Sequence, residues 1–280
     1  METISVSFPD REAREMVLLY LEDVHGIKKL THILEPSYDV PSEIAVEAQD
    51  AFARMASGEP IQYIIGKAHF YGREFNVSPS VLIPRPETEV LCREVLNHCS
   101  GSTRPKVLDM CTGSGCIAWT LALEMPGACV TAVDISDGAL TVAGTQDFSE
   151  EISKTGALAP HFLRADVLGD IPAALTASTF DIIVSNPPYV MDSEKSLMRT
   201  NVLDHEPHLA LFVPDNDPLL FYRSVARWSS VLLGPDGFGV VEINEALGPQ
   251  TADVFRAAGF SNVEVIQDLN NRDRFVSFSR

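Results

Sequence analysis

The stretch "VLDMCTGSGCIA", from Val107 to Ala118, is the clearest indication of the fold of this 280-residue chain. Its first residues are typical of a buried strand and its last of a helix. Gly113 and Gly115 lie between them, where glycine allows a positive φ and lets a ligand approach the backbone closely. The free N–H groups at the start of such a helix attract a carboxylate or a phosphate. The stretch therefore predicts a strand–loop–helix unit that binds a small molecule, with a purely structural turn as the alternative.

The same alternation of strand and helix continues to the end of the chain. We predict strands at 106–110, 129–135, 161–166, 180–186, 237–243, 262–268 and 274–279, and helices at 115–124, 138–151, 219–233 and 251–258. This order implies an α/β fold with a mostly parallel sheet and helices on both of its faces. The turn between the last two strands is too short for a crossover helix, so one of those two strands must run antiparallel.

The residues before this region have a different character. Apolar residues recur at helical spacing in 13–24 and in 44–55, and each run is followed by a glycine, Gly26 or Gly58. We predict a small N-terminal helical bundle over 1–60 that serves packing or partner contact. The stretch "IQYIIGKAHFYGREFNV" is interpreted as two strands with turns at Gly66 and Gly72, which gives a β-hairpin linker over 61–82. The catalytic domain would then occupy 83–280.

Composition excludes several classes of protein. The net charge of −18 and a longest basic run of only Lys28-Lys29 disfavour direct binding of nucleic acid. The acidic surface suits a cationic ligand or a basic protein partner, or serves only solubility. The five cysteines form no CxxC pair, so neither a disulfide framework nor a zinc site is indicated. No stretch resembles a signal peptide or a membrane span, and we expect a cytoplasmic monomer.

Two strand-end aspartates bear on the identity of the small molecule. Asp134 ends the strand after the glycine loop, where an acid binds the two hydroxyls of a ribose. The spacing Gly113-x-Gly115-x-x-Ala118 also fits a dinucleotide site. Asp109, however, would oppose a pyrophosphate and suits a ligand that carries an ammonium group. Together with the antiparallel end of the sheet, this favours S-adenosylmethionine. Asp166 could accept from the adenine amine with Val167 packed on the ring, or it could be a plain strand-end residue.

The tetrapeptide "NPPY", from Asn186 to Tyr189, follows the predicted strand 180–186. Its prolines restrict the backbone and donate no N–H, which makes a stiff loop rich in acceptors. The side-chain oxygen of Asn186 and the carbonyl of Pro187 can each accept one hydrogen from a substrate –NH2 group, and Tyr189 can offer an aromatic wall. Two fixed acceptors would orient a weakly nucleophilic planar nitrogen toward a methyl group. The motif thus predicts methylation of such a nitrogen, against the alternative of a proline turn that merely ends a strand.

Longer motifs add a family resemblance. "PIQYIIG", "HFYGREFNV", "LIPRPETE" (82–89), "NPPY" and "EPHLAL" together resemble the HemK-like protein-(glutamine-N5) methyltransferases of the peptide release factor type, over nearly the whole chain. "NPPY" alone also occurs in adenine and RNA-guanine methyltransferases, whereas "LIPRPETE" with it is much more specific. The related ribosomal-protein glutamine methyltransferases usually replace the "PETE" portion.

The resemblance implies a seven-stranded class I (Rossmann-like) methyltransferase sheet, a small N-terminal helical domain that engages the release factor, and a β-hairpin linker. It implies methylation of the glutamine in a Gly-Gly-Gln motif, with Asn186, Pro187 and Tyr189 as the catalytic residues and no metal. The substrate would contact Asn186, Pro187, Pro188, Tyr189, Arg85 and Glu87. S-adenosylmethionine would contact Asn186 and the residues Cys111, Thr112, Gly113, Ser114, Gly115, Asp134, Asp166 and Val167.

Several features of the sequence have more than one interpretation. Cys111 stands where the family often has glycine, and it would be strained if that position needed a positive φ; we interpret it as loop packing. Arg85, Glu87 and Glu89 either shape the cofactor lid or the target site, or simply begin a helix. The alternative functions are an adenine-specific nucleic-acid methyltransferase, a ribosomal-protein glutamine methyltransferase, a nicotinamide oxidoreductase and a non-enzymatic binding module.

Overall fold

The computed structural model describes residues 8–35, 37–99, 104–268 and 270–280. The chain divides into two compact units. The N-terminal unit extends to Lys67 and also takes in Met198–Glu206, and the sheet unit comprises Ala68–Leu197 and Pro207–Arg280. The division after Lys67 falls inside the stretch that was predicted to be a separate linker.

The helices of the described residues are α1 (Asp10–His25), α2 (Lys29–Leu34), α3 (Ser42–Ala56), α4 (Ile61–Ile65), α5 (Thr88–His98), α6 (Cys116–Glu124), α7 (Asp137–Gly144), α8 (Ser149–Thr155), α9 (Thr200–His205), α10 (Leu220–Leu232) and α11 (Gly248–Ala257). The strands are β1 (Lys67–Phe70), β2 (Arg73–Asn76), β3 (Lys106–Met110), β4 (Cys129–Asp134), β5 (His161–Arg164), β6 (Phe180–Ser185), β7 (Val190–Met191), β8 (Phe212–Val213), β9 (Leu233–Glu242), β10 (Ser261–Gln267) and β11 (Asp273–Ser279). Within the described ranges no helix is both long and apolar enough to cross a membrane.

Helices α1 and α3 form the core of the N-terminal unit, as their apolar spacing predicts. The prediction of a strand at 61–65 is wrong, because this segment is helix α4. Pro60 precedes the helix, and Gly66 ends it with a φ of 79°. The buried residues Ile61 and Tyr63 lie on α4. Only β1 and β2 form the hairpin, with the turn at Tyr71 and Gly72.

The main sheet has seven strands in the order β10-β11-β9-β6-β3-β4-β5. Strands β9, β6, β3, β4 and β5 run parallel to one another. Strand β11 pairs antiparallel with both β9 and β10, which confirms the predicted antiparallel end. The sheet is the α/β architecture expected from the order of elements.

A buried apolar cluster covers each face of this sheet. One cluster includes Trp228 of α10 and Phe255 of α11. The other includes Leu91 of α5 and Trp119 of α6. All four side chains are almost inaccessible to solvent, so the helices bury both faces of the parallel strands, as such sheets require.

The helix predicted over 138–151 is in fact two helices, α7 and α8, separated by a short break. Gln146 lies in the break with its side chain buried. It accepts from the Asn76 N–H at 2.8 Å and donates to the carbonyls of Asn76 and Ser114. The break therefore lets one amide side chain join β2 to the glycine loop.

Candidate active site

A pocket opens at the carboxyl edge of the sheet, where β3, β4 and β6 end, and it lies within the sheet unit. The structure brings most of the sequence-predicted site residues to its wall: Arg85, Cys111, Thr112, Gly113, Ser114, Asp134, Asp166, Val167, Asn186 and Pro188. Four predicted residues are not part of this lining: Glu87, Gly115, Pro187 and Tyr189.

The two glycines of the loop do different work. Gly113 has a φ of 55°, and a Cβ there would meet no atom within 4 Å, so the backbone faces open pocket. Gly115 has a φ of 80°, and its Cβ would lie 3.0 Å from Ala143 Cβ and 3.2 Å from Trp119 Cδ1. Gly113 thus leaves room for a ligand, whereas Gly115 permits close packing of the loop.

Asp134 ties the loop to the end of β4. Its Oδ2 accepts from the Gly113 N–H and its Oδ1 from the Ser136 N–H, each at 2.9 Å. Burial raises the pKa of Asp134, and these backbone donors lower it in part. Each carboxylate oxygen has a further lone pair. The carboxylate can therefore accept hydrogen bonds from ribose hydroxyls while it holds the loop.

Asp109 is fully buried at the end of β3 and does not line the pocket. Its Oδ2 accepts from the Thr112 hydroxyl at 2.6 Å. Burial raises the pKa of Asp109 to about 7, with Asp134 adding to the rise and Thr112 opposing it. The expectation that Asp109 contacts a ligand ammonium directly is not supported by this position. Its carboxyl group is buried behind the glycine loop and accepts a hydrogen bond from Thr112 of that loop.

Cys111 adopts a φ of 62°, the left-handed conformation in which the sequence predicted strain. Its side chain packs against the apolar cluster that contains Trp228. Burial raises the pKa of its thiol well above the usual value. Cys111 is therefore a neutral packing residue, as predicted, that is held in a costly backbone conformation.

The "NPPY" loop is anchored on both sides. The N–H groups of Tyr189 and Val190 donate to the Leu211 carbonyl at 3.2 and 2.9 Å. Asn244 Nδ2 donates to the Tyr189 carbonyl at 3.2 Å. The Tyr189 ring packs against the core, and its hydroxyl donates to Glu242 Oε1 at 2.9 Å. Tyr189 thus fixes the loop from behind, while Asn186 and Pro188 face the pocket.

The "LIPRPETE" segment contributes a residue that the sequence analysis missed. Thr88, the first residue of α5, is almost fully buried, lines the pocket and donates its hydroxyl to Glu242 Oε2 at 2.7 Å. Asn186 Nδ2 donates to Thr88 Oγ1 at 3.1 Å. The signals in the sequence were a hydroxyl within the motif and, in "GFGVVEI", one carboxylate in an apolar strand.

The two acidic residues of the "LIPRPETE" segment, Glu87 and Glu89, do not line the pocket. Glu89 Oε1 accepts from the Tyr71 N–H at 2.9 Å, which ties α5 to the hairpin turn. Glu87 is exposed immediately before α5. Arg85, in contrast, lines the pocket.

Apolar side chains complete the pocket. Ile135 and Leu168 follow Asp134 and Val167, and each stays 39% exposed. They line the pocket together with Leu82, Ile83, Leu209 and Phe221. This apolar surface beside Asp134 suits a flat aromatic ring. In the part of the chain that the structure describes, His, Cys, Asp and Glu form no group of three or more that could hold a metal ion.

Comparisons with known proteins decide the family. The model of the "PrmC N-terminal domain" matches residues 6–66, and that of the "Methyltransferase small domain" matches residues 87–209. The release factor glutamine methyltransferase of Bacteroides thetaiotaomicron is 39% identical over 273 residues, which covers 98% of this chain and 95% of the relative. That of Flavobacterium psychrophilum is 36% identical over 279 residues, or 99% and 95% of the two chains. The chain belongs to the release factor glutamine methyltransferase family.

This membership confirms the resemblance based on "LIPRPETE" and "NPPY". Among solved structures, the hMettl16 catalytic domain superimposes with a TM-score of 0.56 at 15% identity, covering 82% of each chain. At that identity the superposition shows the fold alone, which is the seven-stranded methyltransferase sheet. Within this fold, Asn186, Asp134 and the glycine loop line one pocket.

Proposed function

We propose that the chain transfers a methyl group from S-adenosylmethionine to the side-chain amide nitrogen of the glutamine in the Gly-Gly-Gln motif of peptide release factors. The observation that carries the proposal is that Asn186, at the end of β6, lines the same pocket as the glycine loop and Asp134. Family membership and the names of the relatives support the release factor as substrate.

The residues present fit S-adenosylmethionine. The open backbone at Gly113 and the start of α6 suit its amino-acid tail, because free N–H groups at a helix start attract a carboxylate. Asp134 suits the ribose hydroxyls, and Ile135 and Leu168 suit the two faces of the adenine. Asp166, which is exposed at the pocket wall, would accept from the adenine amine.

On the substrate side, Asn186 Oδ1 would accept one hydrogen of the glutamine –NH2 group. The carbonyl of Pro187, which lies between the lining residues Asn186 and Pro188 but is not itself in the lining, would accept the other. An amide nitrogen is a weak nucleophile because its lone pair is delocalised into the carbonyl. Two fixed acceptors align that lone pair with the methyl group and increase the electron density on nitrogen. The hydrogen bonds from the loop to the Leu211 carbonyl and from Asn244 to the loop already restrain it, so little conformational entropy is lost when the substrate binds.

Bound S-adenosylmethionine supplies the methyl group: the nitrogen–carbon bond forms, the carbon–sulfur bond breaks, and the electron pair of the broken bond stays on sulfur. The alkylated nitrogen is more acidic and releases one proton to water. Asn186 or Pro187 still holds the remaining hydrogen. This chain therefore needs no strongly basic side chain ahead of the transfer.

We further propose that the N-terminal unit recognises the release factor. Leu30, Ile33 and Leu34 of α2 expose 57%, 61% and 70% of their surface. Clustered exposed apolar side chains are typical of protein-interaction surfaces. The match of residues 6–66 to the PrmC N-terminal domain supports a role shared by the family.

The test is a methyl-transfer assay with labelled S-adenosylmethionine and a bacterial release factor. We expect label on a release factor that carries Gly-Gly-Gln and none on one that carries Gly-Gly-Ala. Equal labelling of the two would refute glutamine as the acceptor. An adenine-containing DNA duplex serves as the third substrate, and labelling of the duplex instead of the release factor would favour the nucleic-acid alternative, which the net charge of −18 disfavours.

A further inference from the structure

We propose that Glu242 and Thr88 are positioning residues that set which end of the Asn186 side-chain amide faces the substrate. The inference rests on the proposed function, in which Asn186 must present an acceptor. A carboxamide carries an acceptor oxygen at one end and two donor hydrogens at the other. If Asn186 were turned by 180° about its last torsion, it would present donors to the glutamine –NH2 group and repel it.

The hydrogen bonds around Thr88 have only one consistent direction when Glu242 is ionised. Burial raises the pKa of Glu242, and the Thr88 and Tyr189 hydroxyls that donate to it, together with Arg274, oppose that rise. In the ionised form Glu242 can only accept, so the Thr88 hydroxyl gives its single hydrogen to Glu242 Oε2 at 2.7 Å. The Thr88 oxygen can then only accept from its other neighbour. That neighbour is Asn186 at 3.1 Å, so the –NH2 end must point to Thr88. The oxygen end of the amide is thereby turned away from Thr88 and left for the substrate.

The position of Glu242 follows from the sheet. Ser185 of β6 is in register with Val241 of β9, so the next residues, Asn186 and Glu242, leave adjacent parallel strands side by side. Thr88 begins α5, which packs on β9 and places its hydroxyl between them. Three segments that are distant in sequence thus meet at one hydroxyl.

The same carboxylate also holds the other end of the motif. Glu242 Oε1 accepts from the Tyr189 hydroxyl at 2.9 Å. Glu242 is 1% exposed and Thr88 is 3% exposed. Burying a carboxylate is unfavourable unless its oxygens are hydrogen-bonded, and here each oxygen has a donor from a different motif. Replacing Glu242 by an apolar residue would leave the Thr88 and Tyr189 hydroxyls without this acceptor, and the Thr88 hydrogen could then turn toward Asn186.

The direct test changes the hydroxyl. Thr88→Val keeps the shape of the side chain but lets the Asn186 amide turn, and Thr88→Ser restores the hydroxyl. With a Gly-Gly-Gln release factor as substrate, we expect Thr88→Val to lower kcat by at least about tenfold, the order expected for one hydrogen bond. The KM for the release factor and the affinity for S-adenosylhomocysteine should change less than about threefold. Thr88→Ser should recover most of the lost rate.

A double-mutant cycle distinguishes an effect of Thr88 on the orientation of the Asn186 amide from a general effect on the stability of the protein. In an Asn186→Ala background there is no amide to orient, so Thr88→Val should cause no further loss of kcat. The inference is overturned if Thr88→Val keeps a wild-type kcat, or if it lowers kcat as much without Asn186 as with it. Loss of S-adenosylhomocysteine binding by Thr88→Val, with no rescue by Thr88→Ser, would also overturn it in favour of a structural role. If Asn186→Ala alone keeps full activity, the role of Asn186 and this inference fail together while the proposed function stands. The proposed function itself fails if the wild-type protein leaves a Gly-Gly-Gln release factor unlabelled.

Discussion

Gly113 donates its backbone N–H to Asp134 Oδ2 across a distance of 2.9 Å, which joins the loop after β3 to the end of β4. The same carboxylate accepts from Ser136 through its other oxygen. Asp134 therefore shapes the loop that lines the pocket, and in the proposed function it would also provide the acceptors for the ribose. A change at Asp134 should affect cofactor binding more than the loss of one contact would.

Asp134→Ala is expected to weaken S-adenosylhomocysteine binding at least tenfold, because each hydrogen bond to a charged group is worth about 1.5–3 kcal/mol. Calorimetry measures the affinity, and circular dichroism checks the fold. Asp181→Ala is the control, since Asp181 is an exposed aspartate outside the pocket lining that accepts from the Lys106 N–H at the far end of the sheet. Unchanged affinity in a folded Asp134→Ala protein would contradict the ribose assignment.

Cys111 offers a test of backbone strain. A β-branched residue tolerates a φ of 62° less well than cysteine does, and glycine adopts it freely. We expect Cys111→Val to lower the free energy of unfolding by about 2 kcal/mol or more. Cys111→Gly should stay within about 1 kcal/mol of the wild type, because relief of strain offsets lost packing. Urea denaturation measures both.

Cys116→Val is the control for this comparison, because Cys116 is also buried but lies in the regular helix α6. It should cost less than Cys111→Val. Equal free energies of unfolding for Cys111→Val and Cys111→Gly would show that the left-handed backbone conformation does not determine the stability of these variants.

Asp109 should make stability depend on pH. Burial raises its pKa from 3.8 to about 7, so between these values the unfolded chain gives up the proton and the folded chain keeps it. The stabilising contribution is complete below the unfolded pKa and is lost as pH rises to the folded pKa. Relative to Asp109→Asn, the wild type should lose about 1.4 kcal/mol per pH unit from about pH 5 to 7 and then level off. A difference that stays constant with pH would contradict the buried, protonated carboxyl group.

The N-terminal unit gives a prediction about substrate size. Leu30→Ser combined with Ile33→Ser should slow methylation of the intact release factor by about tenfold, the order expected for two apolar contacts. A short Gly-Gly-Gln peptide should be methylated at an unchanged rate, because it lacks the rest of the release factor that the N-terminal unit is proposed to recognise. Val231→Ser, at a similarly exposed apolar position on α10, is the control. Equal slowing on protein and peptide would place the effect in the chemistry rather than in recognition.

The sequence predicted correctly those helices and strands for which the apolar periodicity and the flanking turn residues indicate the same type of element. The strand–glycine–helix unit at 107–118 and the antiparallel end of the sheet depend on local patterns, and both are confirmed. The prediction of a strand at Ile61–Ile65 is wrong because a short apolar run fits a strand and a helix equally well. Pro60 and Gly66, which bound the segment, were the better guide.

Residues that act through tertiary contacts could not be predicted in the same way. Thr88 and Glu242 are 154 positions apart, and their hydrogen bond depends on how α5 packs on β9. The break at Gln146 also depends on a partner, Asn76, that is 70 positions away. Motifs in the sequence pointed to Asn186 and Asp134, but they did not reveal what holds those side chains in place.

The most direct test of the whole account is the rate of methyl transfer by Asn186→Ala to a release factor that contains Gly-Gly-Gln. The substitution keeps both prolines and removes one of the two acceptors that we propose align the amide nitrogen. Since a misplacement of about 1 Å can cost about a hundredfold in rate, we predict at least that loss in kcat, with a smaller change in S-adenosylhomocysteine affinity. Asn186→Asp keeps an acceptor but adds a buried charge, and it should retain partial activity at most. Wild-type kcat in Asn186→Ala would contradict the role assigned to Asn186 and with it the mechanism proposed for this pocket.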